Sequence, residues 1–170
     1  TAMLAILEWN GAFKGMSIAD KITHSFINAV SPRTAGFNTI ELPQFCTLSI
    51  LMYLLFMWIG GGSQSTAGGI KVNTLAVVLA NFVSILKGRK HVVLFNREVS
   101  DYSIKKASAV VVGSICCIII FYVLLLLLEP HLPTRGLLFE TLSAFSTVGA
   151  SLNITPLLGD ASKLLITLLM

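Results

Sequence analysis

One apolar reach runs from Phe45 to Leu86, about twice what a helix needs to cross a bilayer. No charged side chain interrupts it between Pro43 and Ile70, so nothing marks a turn emerging into water. Its middle is instead Gly60, Gly61, Gly62, Ser63, Gln64, Ser65, Thr66, Ala67, Gly68 and Gly69, and glycine and serine at that density do not sustain a helix. The pattern predicts a descending span over 45–87, broken at mid-membrane by a loop at 60–69 that leaves a half on either side. Non-helical backbone at that depth is tolerated only where it lines a cavity or is buried in protein. Composition agrees with lipid as the solvent: the chain is 55% hydrophobic and 12% charged, with a mean hydropathy of +0.83. Soluble domains carry roughly twice that charge fraction.

Two further segments are apolar but too short to cross. Lys21–Ser31 would reach about 16 Å as a helix, against the ~30 Å of a hydrocarbon core. Pro32 stops it, because proline disfavours helix at the residue before it. Gly136–Ser146 is its counterpart. Each is followed by a loop centred on a glycine two places after a threonine: Thr34, Ala35, Gly36, Phe37, Asn38 in the first case, and Thr147, Val148, Gly149, Ala150, Ser151 in the second. The loops are similar to the Thr-Val-Gly-Tyr-Gly type of cation selectivity filter, in which backbone carbonyls replace an ion's water. Gly36 and Gly149 supply backbone freedom, Thr34 and Thr147 can add hydroxyl oxygens, and each preceding half-helix would aim its carbonyl end at the ion. Potassium is accordingly assigned to Thr34, Gly36, Thr147 and Gly149. The plain alternative for either copy is an ordinary turn after a helix.

The expected organisation is all-α, in span–pore-helix–filter–span units. Residues 1–9 end a transmembrane helix. Residues 10–44 hold an outer loop, a pore helix at 21–32 and a first filter loop at 34–38. The broken span covers 45–87, a basic loop 88–106, and an uninterrupted span 107–128. Residues 129–161 hold an outer loop, a second pore helix at 136–146 and a second filter loop at 147–151. Residues 162–170 begin a last span, and the chain reads as a fragment cut inside it.

Six of the twelve basic residues (Lys87, Arg89, Lys90, Arg97, Lys105, Lys106) fall in one stretch, against Glu98 and Asp101 alone. Flanked by apolar segments, that stretch faces the cytoplasm by the positive-inside rule. A nucleic-acid patch would need interleaved aromatics and a soluble host domain. From Lys71 to Lys87 is roughly 24 Å along a helix, too deep for the Lys71 ammonium to reach the surface. Unless it faces protein or water it costs at least ~2.5 kcal/mol, so it is expected on the loop at 60–69, a carbonyl or a subunit interface. The alternative is a shallower helix with Lys71 snorkelling. Arg33, at a half-helix C-terminus, is expected to support the first loop. Glu140 is expected to be structural, neutralising a nearby positive charge. Cys46, Cys116 and Cys117 lack metal-ligand spacing, as do His24, His91 and His131. A phosphate loop fails because Gly69 is followed by Ile70 and Lys71, not by Lys and then Ser or Thr.

Ser31 to Thr39, Gly60 to Lys71 and Phe145 to Ala150, in that order, resemble the Trk/Ktr/HKT superfamily of potassium transporters, and most of all the bacterial Trk/Ktr-type membrane subunit. The resemblance covers nearly the whole chain. It implies four span–pore–span repeats around a central pore, of which this chain resembles most of the third and fourth. It also implies that 60–69 is an intramembrane gate under the filter, that the cargo is potassium or sodium, that no covalent cofactor is used, and that the protein is a homodimer bound to a cytosolic nucleotide-binding regulatory subunit. Two other readings compete. A secondary transporter of another small solute would bind at the broken helix, but leaves the paired glycine loops unexplained. An intramembrane enzyme would need convergent titratable groups, and only Lys71, Arg33 and Glu140 qualify.

Overall fold

The computed structural model describes residues 1–9, 11–88, 91–94 and 97–170. Asn10 of the outer connection, and Arg89 and Lys90 of the basic stretch, lie outside the described residues. Among the described residues seven helices carry the fold: α1 (Ala2–Glu8), α2 (Ile18–Val30), α3 (Thr47–Trp58), α4 (Val72–Leu86), α5 (Asp101–Leu128), α6 (Thr134–Phe145) and α7 (Asp160–Leu169). Single 3₁₀ turns at Leu42–Gln44 and Thr155–Leu157 precede α3 and α7. The all-α expectation needs one amendment, a two-residue antiparallel ladder of β1 (Val93–Leu94) and β2 (Arg97–Glu98) inside the basic stretch. His91 Nδ1 and Glu98 Oε1, 2.5 Å apart, brace that ladder.

Several boundaries differ from those expected, each for a local reason. The helix expected at 21–32 starts earlier, at Ile18, where the Ser17 hydroxyl caps α2 by accepting from Asp20 N at 3.2 Å and donating to Asp20 Oδ2 at 2.7 Å. The helix expected at 136–146 likewise begins at Thr134, behind Pro133, whose fixed φ suits a helix entry. The span expected at 107–128 extends back to Asp101, because Ser100 accepts from Ser103 N and caps it there. Lys105 and Lys106 therefore ride on α5; charge removes a segment from lipid without unwinding it. The two halves of the broken span are 12 and 15 residues, shorter than expected, since irregular backbone runs from 59 to 71. Together they reach about 40 Å, close to the ~42 Å of the 28-residue α5 beside α4. Among the described residues α5 is the one helix long and apolar enough to cross a membrane, with a mean hydropathy of 3.1 over its best 18 residues.

The break in the span is closed at its neck. Ile59 and Ile70 pair as a parallel bridge, Gly60 N donates to Ile70 O at 2.8 Å, Ile70 N to Trp58 O at 2.9 Å, and Val72 N to Gly61 O at 3.2 Å. A helical hairpin would bring these segments together antiparallel. The parallel sense means that the chain leaves α3, makes an excursion and resumes its heading in α4.

Two helical units emerge, α1–α2–α3/α4 and α5–α6–α7, and α6 lies between them, touching α3, α5 and α7. The main core joins the units: Tyr53, Leu54 and Met57 of α3 bury with Phe139 of α6 and with Val148 and Ala150. Tyr53 stacks on Phe139 with ring centroids 5.9 Å apart. The units share a second device. Glu8, at the end of α1, accepts from the Cys46 amide that starts α3 at 2.8 Å, and the Ser49 hydroxyl one turn on pairs with Cys46 Sγ at 3.2 Å. Glu129, at the end of α5, accepts from the Gly159 amide that starts α7 at 2.7 Å and from the Ser162 hydroxyl at 2.8 Å. Cys46 stands to Gly159, and Ser49 to Ser162, at the same offset in the chain as Thr34 to Thr147. Each carboxylate thus satisfies orphan donors at the start of the helix after next, where negative charge is favoured.

Glu129 yields a pH expectation. The Gly159 amide and the Ser162 hydroxyl hold its carboxyl below the usual carboxylate range, burial opposes them, and His131 and Lys163 add to the lowering. A carboxylate depressed in the fold contributes stability that is complete above its unfolded pKa and is lost as pH falls through the folded value. Glu129→Gln in the full-length protein is expected to lower the melting temperature by a few degrees at neutral pH and to flatten the acid side of the stability profile. Melting curves from neutral pH down into the acid range measure both.

Candidate ion site and intramembrane loop

The two glycine loops have the same backbone form. Thr34 and Thr147 adopt left-handed φ values of 64° and 52°, and Gly36 and Gly149 values of 69° and 77°. Residues with a Cβ resist this region, so its recurrence at two threonines marks a constraint imposed by the surroundings. The constraint is the helix end before each loop. Ser31 O accepts from Ala35 N at 3.2 Å and Gly36 N at 3.3 Å, while Ser143 O and Ala144 O accept from Val148 N and Thr147 N at 2.9 Å each. Carbonyls that α2 and α6 leave unpaired are thus answered by a chain that turns straight back.

The loops lie side by side. A Cβ built on Gly36 would collide with the carbonyl oxygen of Val148, with Gly149 C 3.9 Å away. Along the second loop, exposure alternates: Val148 and Ala150 bury into the core, while Thr147 and Gly149 are open. Not every member of the expected set is equally free. The Ala150 carbonyl accepts from the Ser143 hydroxyl at 2.6 Å, the Asn38 amide oxygen from the Tyr53 hydroxyl at 3.3 Å, and the Ser151 hydroxyl donates to Glu140 Oε1. The outer ends of both loops are therefore tied to the scaffold. Ala35 is exposed, and Phe37 is 77% exposed. Glu140 is buried as expected of a structural residue, but its partners correct the expectation of a cation: they are the hydroxyls of Ser151 and of Thr155, the latter at 2.8 Å. Arg33 is exposed, and its contribution to the first loop is its backbone, which accepts from Thr34 Oγ1 at 2.6 Å.

Residues 60–69 stand against the second loop: Gly68 and Gly69 face Ser146 and Thr147. Within 60–69, Ser65 N donates to Gly62 O at 3.0 Å, the Ser65 hydroxyl accepts from Ala67 N at 3.0 Å, and Ser63 accepts from the Asn73 side chain at 3.1 Å. Gln64 and Thr66 are exposed. Lys71 turns back onto this loop, donating to Ser65 O at 2.8 Å and to Ala67 O. A family model described as TrkH, a cation transport protein, matches residues 2–170.

The chain belongs to the TrkH family of cation transport proteins.

That family comprises transporters rather than enzymes. Among its relatives, Ktr system potassium uptake protein B of Bacillus subtilis is 40% identical over 97% of this chain and 37% of its own length. The Vibrio alginolyticus protein of the same name is 38% identical over 86% of this chain and 32% of its length. Potassium/sodium uptake protein NtpJ of Enterococcus hirae is 31% identical over 99% of this chain and 38% of its length. The chain thus spans about a third of the length of the curated relatives it matches.

Sequence reasoning did not single out Tyr53, which bonds the first glycine loop and packs with the second, or Ser143, which holds the Ala150 carbonyl. The available signal was a lone phenol within an apolar helix and a serine shortly before a left-handed glycine turn. The hold of Lys71 on the loop in this TrkH-family chain is measurable. Charge-assisted hydrogen bonds contribute about 1.5–3 kcal/mol each. Lys71→Met is expected to speed amide exchange at residues 62–68 by about tenfold or more, with α5 unchanged, as read by hydrogen-exchange mass spectrometry of the full-length protein.

Proposed function

We propose that the full-length protein takes up potassium across the cell membrane through a pore whose ion site is formed by backbone carbonyls of glycine loops, two of them in this chain. The observation that carries this reading is the approach of Gly36 to the Val148 carbonyl, which brings two left-handed Thr-x-Gly turns together at the carbonyl ends of two helices too short to cross. Removing water from a monovalent cation costs tens of kcal/mol by Born reasoning unless other oxygens replace it. Clustered main-chain oxygens at helix C-termini offer that replacement without a fixed carboxylate, which would hold the ion too tightly for it to leave. Thr34, Gly36, Thr147 and Gly149 would line the site, and residues 60–69, held by Lys71, would gate it from below. Two relatives are named for potassium uptake and a third for potassium and sodium, which supports a monovalent cation as cargo.

The remaining filter loops would come from the rest of the protein, in a multi-pass membrane arrangement. A second copy and a cytosolic nucleotide-binding subunit, docking on the side of the basic stretch, complete the proposal by family resemblance.

Growth of cells lacking their own potassium uptake tests it. The full-length protein is expected to rescue growth in low potassium, and Gly36→Ser and Gly149→Asp to abolish the rescue at equal membrane content. If both variants keep uptake and ion preference, the assignment of these loops is overturned.

A further inference from the structure

The two filter threonines share a backbone conformation but not a support. The Thr34 hydroxyl is bonded to its own chain at Arg33 O, 2.6 Å away. Thr147 makes no side-chain hydrogen bond among the described residues, and what stands against its hydroxyl is Gly68. A Cβ at Gly68 would lie 2.5 Å from Thr147 Oγ1, 2.5 Å from Ser146 O and 2.6 Å from Ser146 C. Two of these three atoms are backbone, so no rotamer change relieves the clash. Gly69, at φ 71°, is wedged beside the Met57 and Trp58 carbonyls, where a Cβ would stand 3.0 and 2.9 Å from them, and it faces Ser146 Oγ. Ser146 is the residue that ends α6, and its buried hydroxyl has no partner among the described residues. At the other side of the loop, a Cβ on Gly62 would meet nothing within 4 Å.

The contact is also stiffly mounted. Lys71 ties Ser65 O and Ala67 O, the residues just before Gly68, and the neck bonds at 59–61 and 70–72 fix the loop's base. Residues 65–71 therefore move as one piece. A left-handed threonine persists only where its surroundings over-determine it, and here Gly68 is part of those surroundings.

We propose that Gly68 is a positioning residue for ion discrimination: its peptide seats the Ser146–Thr147 step, so that displacement of the intramembrane loop alters the second filter loop as well as the path beneath it. Loop state and ion preference are then coupled, and coupled through one of the two glycine loops in this chain only. The inference rests on the reading of Thr147 as an ion-site residue. It goes beyond a gate that merely obstructs, because an obstruction changes throughput and leaves the potassium-to-sodium preference where it was.

Potassium and sodium uptake by the full-length protein, in cells lacking their own systems and normalised to membrane content, separates these cases. Gly68→Ala is expected to shift the potassium-to-sodium preference, or the KM for potassium, by roughly fivefold or more, the scale of a single perturbed contact. Gly113→Ala, on α5, where an added Cβ meets nothing within 4 Å, is expected to stay within about twofold of wild type. A Gly68→Ala protein with altered maximal rate but unmoved preference and KM overturns the coupling, as does an equal effect of the two alanines. Should Gly68→Ala not reach the membrane, Lys71→Met loosens the same piece without adding bulk, and an unmoved preference in it overturns the coupling equally. A wild-type protein that carries no potassium removes the pore reading itself, an outcome distinct from either.

Discussion

Backbone carbonyls left unpaired at the ends of two short helices are the constraint around which the other parts are arranged. α2 and α6 are 13 and 12 residues long, too short to cross a bilayer, and the carbonyls left unpaired at a helix end need donors from elsewhere. The chain answers by folding back on the last turn, so that Ser31 O, Ser143 O and Ala144 O each receive an amide from the loop that follows. That return demands left-handed backbone at Thr34, Gly36, Thr147 and Gly149. The same turn that repairs the helix end therefore creates a strained, oxygen-rich hairpin, and packing of Val148, Ala150 and Tyr53 holds it in place.

Repetition between the two units runs deeper than the motif that announces it. The 3₁₀ turns at Leu42–Gln44 and Thr155–Leu157 stand at the same offset as the glycine loops, as do the starts of α3 and α7 and the hydroxyls of Ser49 and Ser162. What differs is as informative. Ile27 stands where the second unit has Glu140, and Asn28 instead reaches outward, donating to the Thr39 hydroxyl at 2.7 Å. Two copies of one scaffold thus tie down their loops by unlike chemistry, so the copies are not interchangeable.

Much of the fold is legible in sequence because membrane burial simplifies the code. The uncharged run from Ala107 to Leu128 within α5, two apolar stretches too short to cross, and a glycine run without charged flanks each have few solutions in hydrocarbon. Helix starts are harder to read: Ser17, Thr134 and Ser100 lie in polar context, where hydropathy falls before the helix does. The 93–98 ladder is hidden by the basic composition around it. Side-chain pairings that cross between elements, such as Tyr53 with Asn38 and Phe139 or Glu129 with Gly159 and Ser162, leave no trace in local pattern, because partners so distant along the chain share no periodicity. Lys71 is the exception. A lone cation deep in an apolar stretch has so few acceptors within reach that the neighbouring loop is among the few candidates, and Ser65 O and Ala67 O are what it binds.

The parallel pairing of Ile59 with Ile70 gives residues 60–69 an unusual independence. Since the chain enters and leaves it heading the same way, through a fastened base, its length is decoupled from the geometry of the span. Residues could be added or removed between 62 and 67 without turning α4 relative to α3 or shifting either along its axis. A bundle built this way can vary the length of that excursion over evolutionary time while every helix keeps its neighbours.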